Sequence, residues 1–253
     1  MMKAALLLPA QFRRCLHAMP AYAFREGAGI DPFLSGRATE LLHSLHRHYL
    51  HRLNHALAAS PLATLPLYQL LERTYQDSAQ ALVHHYASQA WNMDFWLQGL
   101  APAAMHRPPL PALHQALERD FGSFTAFQEL FSSSAAAMVA SGWTWLVKRP
   151  NGKLAVLNTY NGGSPVYVNF RSPLSRRPMV DTSVSAMLGL KRTVASEEET
   201  MIAKEQGQIV PLLGLNMWEH AWIGDYGLHR EEYIANFWKC VNWNRVAVIL
   251  NIY

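Results

Sequence analysis

The sequence predicts an α+β fold: an N-terminal antiparallel helical hairpin, then a small antiparallel sheet with helices around it. Three observations predict it. Leu41, Leu45, His48 and Leu53 recur at helical spacing in a stretch without proline. After Pro61 and Pro66, a second helical pattern carries Leu71, Tyr75, Ala79, Leu82, Tyr86 and Ala90. Further on, Trp143 to Lys148 and Gly152 to Asn158 flank the turn Pro150-Asn151-Gly152, which reads as two short strands.

Residues 1–30 read as a basic N-terminal arm or a targeting segment. They hold Lys3, Arg13, Arg14 and Arg25, are rich in Ala and Leu, and have no acid before Glu26. That is the composition of a mitochondrial targeting segment, so the expected location is the mitochondrial matrix; the plainer reading is an arm that stays on the mature protein. Residues 31–105 form the hairpin domain, with helices over Ser35 to Leu57 and about Leu67 to Leu97. The proline-rich run PAAMHRPPLP is a connection.

Residues 106–253 form an α/β domain. Ser123 is an N-cap for a helix over Phe124 to Ala140, which Gly142 ends. A third strand, Gln208 to Leu215, completes the sheet, and helices start near Glu219 and at Arg230. An insertion at about 162–207 has no sustained periodicity. Its first part carries Arg171, Arg176, Arg177, Lys191 and Arg192, and it turns acidic at Glu197 to Glu199. A loop this long in a compact domain usually means an added function, and Arg-rich segments of this kind order on RNA phosphates, so these five residues are the RNA contact candidates.

Composition narrows the function classes. The 253 residues can bury one large core or two small ones. A 50% apolar and 16% charged balance is globular, and the formal charge of +4 suits a polyanionic partner without demanding one. No run approaches the roughly 18 apolar residues of a membrane span, so no membrane partner is expected. Cys15 and Cys240 are the only cysteines, which excludes a disulfide framework and a Cys-rich zinc site. Neither a Gly-rich phosphate loop nor a G-x-S-x-G elbow is present. His43, His46, His48 and His51 could begin a metal site, but no carboxylate or cysteine accompanies them at ligand spacing, which favours a surface or interface role. Trp218, Trp222, Phe237 and Trp238 read as core.

Four stretches, in order, resemble the iron/manganese superoxide dismutases: Tyr49-Leu-His-Arg-Leu-Asn54; Ala87-Ser-Gln-Ala-Trp-Asn92 leading to Leu100-Ala-Pro102; Asp120-Phe-Gly-Ser-Phe through Ser141-Gly-Trp-Thr-Trp-Leu146; and Pro211 to Trp243, with Trp218-Glu-His220, Tyr226, Arg230, Tyr233 and Trp238. The resemblance runs from about Asp31 to Asn251 apart from the insertion, and the second stretch is similar to the iron-type branch, with Gln89 at the active-site glutamine position.

The resemblance implies a redox metal held by three His and one Asp. The matching slots here carry Leu42, or Leu41 in the neighbouring register, then Met93 and Asn216; His220 alone is retained. A thioether and a neutral carbonyl are poor donors for a hard trivalent ion. The resulting expectation is a non-enzyme with no catalytic residue, metal or cofactor, akin to the superoxide-dismutase-like proteins of the mitochondrial ribosomal small subunit. Its partners would be ribosomal RNA, neighbouring mitoribosomal proteins and a second dismutase-like chain, in a homodimer or heterodimer. Glu219 and His220 would pair across that dimer interface through a charge-assisted hydrogen bond. The competing reading is an iron or manganese superoxide dismutase with a divergent metal site.

Overall fold

The computed structural model describes residues 17–58, 60–167 and 209–252. The basic insertion residues Arg171, Arg176, Arg177, Lys191 and Arg192 lie outside the described residues, as does residue 15.

Helix α1 spans Gly36–Ala56. Its N-cap is Ser35, whose hydroxyl accepts from the Ala38 N–H at 3.1 Å. The residues it buries, Thr39, Leu42, His43, His46, Leu50 and Leu53, are spaced by three or four and lie on one face.

The expected second long helix is two helices. Helix α2, Leu67–Thr74, stops before Gln76, whose φ of 80° no α-helix accommodates. The Asp77 carboxylate accepts from the Ala79 N–H at 3.0 Å and caps a short 3₁₀ turn, after which α3 runs over Ala81–Gln98. Local capping by Asp77 wins over the apolar periodicity that bridges the break. Both α1 and α2 pack on α3, around a small apolar cluster of Leu53, Leu57, Leu70, Leu71, Val83 and Ala87.

Helix α4, Pro111–Phe121, begins inside what reads as a proline-rich connection. Pro111 occupies the first turn, where its missing N–H costs nothing, and Leu113 and Leu117 are buried one turn apart. Helix α5, Phe124–Ala136, is capped by Ser123 as expected but ends before Ala140. The Arg230 guanidinium donates to the Ala136 and Met138 carbonyls, satisfying the end of the helix from outside.

Strands β1 (Gly142–Lys148), β2 (Leu154–Tyr160) and β3 (Val210–Asn216) form an antiparallel sheet in the order β2-β1-β3. Trp143 sits opposite both Thr159 and Asn216. Gly214 is required where Trp145 crosses β3: a Cβ there would come within 2.7 Å of the indole ring.

Helices α6 (Glu219–Tyr226) and α7 (Arg230–Phe237) follow as expected, and a C-terminal helix, α8 (Trp243–Ile252), follows them. Trp96, Trp143, Trp145, Tyr233, Phe131 and Phe237 are fully buried in the main core. The end of the N-terminal arm belongs to the fold, since Phe24 and Ile30 are buried in that same core.

Candidate metal site

The corner from β3 into α6 carries the polar part of the site. Asn216 is fully buried at the end of β3, and the Tyr233 hydroxyl donates to its carbonyl at 2.7 Å. The Asn216 Oδ1 accepts from the Trp218 N–H at 2.9 Å, a turn that starts α6. That bond orients the carboxamide and aims Nδ2 at His220 Nε2, 3.5 Å away, a long contact at the limit of hydrogen bonding. The His220 ring stacks on Trp218, centroids 5.6 Å apart. Burial pushes its pKa down to about 4, against a smaller upward pull from Glu219, so the imidazole is neutral at neutral pH. The outward neighbour Glu219 is exposed and accepts from the Ser141 hydroxyl at 2.6 Å.

The helical wall is different in kind. Met93 on α3 and Leu42 on α1 are buried in the main apolar core. Leu41 is 52% exposed, so of the two registers the inward side chain is Leu42. Beside Met93, Asn92 donates to the Gly163 carbonyl at 2.9 Å, and Ser88 donates to the Gly162 carbonyl. Gln89 is buried against Gly162, where a Cβ would lie 3.7 Å from its side chain. The Trp145 indole N–H donates to Thr159 at 2.8 Å, whose hydroxyl donates to Gly163 O at 2.8 Å. This polar layer ties the turn after β2 to α3.

The histidine cluster of α1 divides. His48 and His51 are exposed, but His43 and His46 are buried, which corrects the surface reading for those two. They are covered by Tyr22 and Phe24 from the arm. The Tyr22 hydroxyl lies 2.8 Å from His46 Nδ1 and donates to Asp94 at 3.2 Å. Burial pushes the His46 pKa down to about 4, against a smaller upward pull from a bond to the Ala90 backbone, so the ring is neutral at neutral pH. Burial and Asp94 push the Tyr22 pKa up, and burial raises that of Asp94. Sequence reasoning missed this trio because Tyr22 falls in the presumed arm; the one signal was Asp94, a lone acid within the apolar run Trp91 to Leu97.

Among the described residues, no group of three or more His, Cys, Asp or Glu side chains lies together as a metal site would require. The four slots supply one imidazole, one carboxamide, one thioether and a leucine. All are neutral, and trivalent iron or manganese calls for anionic oxygen. These residues do not fit the ion.

Known proteins fix the ancestry of this arrangement. The family model for the C-terminal domain of iron/manganese superoxide dismutases matches residues 109–182 and 179–248. The iron superoxide dismutase of Photobacterium leiognathi is 30% identical over 230 residues, covering 90% of this chain and 96% of that protein. The chain belongs to the iron/manganese superoxide dismutase family. A manganese superoxide dismutase of Acinetobacter baylyi is 31% identical over 202 residues, 79% of this chain and 72% of that protein, and an iron superoxide dismutase of Escherichia coli K12 is 28% identical over 230 residues, 90% and 95%.

These relatives overturn two expectations. A non-enzyme was expected from the lost ligands, yet relatives that align along most of the chain are named as enzymes. The description as a ribosomal, mitochondrial, RNA-binding pseudoenzyme falls with it, because those relatives are named dismutases and carry no ribosomal or mitochondrial name.

Proposed function

We propose that the chain is a superoxide dismutase with a divergent metal site, converting two superoxide ions and two protons to dioxygen and hydrogen peroxide. The observation that carries the reading is alignment with the Photobacterium leiognathi enzyme over 90% of this chain. The contact of Asn216 with His220, and the buried polar layer that Gln89 and Asn92 form with the turn after β2, support it as polar side chains held inside the fold. The four slots do not supply a donor set that fits trivalent iron or manganese, so the reading requires a different ion or different donors.

The working form on this reading pairs with a second dismutase-like chain through the face that displays Glu219, beside His220. Ser141 already holds the Glu219 carboxylate in place from within the chain, leaving one oxygen for a partner's donor. Exposed Ile223, one turn along α6, adds apolar area to that face.

Superoxide decay followed with the purified full chain, alongside its metal content, tests the function. Acceleration that scales with bound metal is expected. No acceleration after expression and reconstitution with each of iron, manganese and copper would overturn it.

A further inference from the structure

We infer that Asn216 and His220 form a neutral amide–imidazole pair in the position an ion would take, so that these four slots exclude trivalent iron and manganese. This rests on the reading of the β3–α6 corner as the site of the proposed dismutase, and it narrows what that site accepts.

The geometry turns the amide nitrogen of Asn216, and not its oxygen, toward His220. Its Oδ1 is committed to the Trp218 N–H at 2.9 Å, a bond that also builds the first turn of α6. The group left facing His220 is the Nδ2 amide, which has two protons and no lone pair to give. For the two nitrogens to meet favourably, His220 must accept at Nε2 and carry its proton on Nδ1. A cation placed between them would face the positive end of the amide dipole on one side. Rotating the carboxamide to present its oxygen would break the Trp218 turn and leave a part-buried N–H without this partner.

The helical side offers no compensation. Leu42 and Met93 belong to the continuous apolar core, with 0% and 1% exposure. A trivalent ion there would meet hydrocarbon and a thioether. Burying that charge without an anionic ligand is prohibitive.

The experiment is metal stoichiometry of the purified full chain, expressed separately with added iron and with added manganese. It is run beside His220→Ala and the triple variant Leu42→His/Met93→His/Asn216→Asp. The expected result is iron and manganese well below one per chain in the natural sequence, unchanged in His220→Ala, with uptake approaching one per chain in the triple variant. Near-stoichiometric iron or manganese in the natural chain, lost in His220→Ala, would overturn the inference while leaving the dismutase proposal intact. Failure of superoxide decay under every metal, with iron and manganese absent, would do the reverse. Should the triple variant not fold, ¹⁵N spectra of His220 in the natural chain decide: a neutral ring protonated on Nδ1 supports the pair, and one protonated on Nε2 overturns it.

Discussion

The helical layer and the strand–helix corner hold their candidate slots in opposite ways. In the helical layer the slots have become hydrocarbon and thioether: Leu42 and Met93 are continuous with the apolar core and are held by shape. In the corner the slots stay polar, and Asn216 and His220 are held by hydrogen bonds to Trp218, Tyr233 and each other. One region is stabilised by volume, the other by satisfied polar atoms, and each should fail differently when altered.

The largest effect belongs to the helical layer. Leu42→Ala removes a fully buried side chain and should cost about 2–5 kcal/mol in urea denaturation. A cost near zero would mean that the layer is loosely packed and the contrast with the corner is unreal.

Acid probes both regions together, through one imidazole in each. His46 and His220 have folded pKa values near 4 against about 6.5 when unfolded. The unfolded chain therefore binds protons that the fold refuses. Stability is fully present above about pH 6.5 and is lost as pH falls toward 4. Each imidazole should contribute on the order of 3 kcal/mol to that loss, at about 1.4 kcal/mol per unit. His46→Gln should remove the helical share and flatten the profile between pH 6.5 and 4, measured by denaturation at successive pH values. An unchanged slope would place His46 in water.

In the corner, Asn216→Ala should cost about 1–3 kcal/mol, because the Trp218 N–H loses its acceptor and His220 its donor in a part-buried setting. The same variant should leave the helical layer's resistance to hydrogen exchange intact, which separates the regions. The smallest effect is Ser141→Ala, which removes an exposed bond to Glu219. It should change monomer stability by no more than about 1 kcal/mol. Its signature is weakened self-association in sedimentation equilibrium if the Glu219 face pairs two chains.

The sequence made the ends of the regular elements and the family legible where local signals agreed. Ser35 and Ser123 cap their helices as their side-chain chemistry dictates. It misread the break at Gln76, because apolar spacing continues across a turn whose cause is one left-handed residue and one aspartate cap. It left the register of the first ligand slot open, since both leucines fit the pattern and only tertiary packing turns Leu42 inward. The orientation of the Asn216 amide was beyond reach, because it depends on a backbone N–H two residues on in a turn. So was the Tyr22–His46–Asp94 contact, which joins residues up to 72 positions apart.

The most direct measurement is a crystal structure of the full chain grown with iron and then manganese, with diffraction recorded at both absorption edges. The expected result is His220 Nε2 facing Asn216 Nδ2 at a separation near 3.5 Å, with no anomalous density between them. An anomalous peak at bonding distance from His220, with the Asn216 oxygen turned toward it, would contradict the pairing of these two residues in the ion's place.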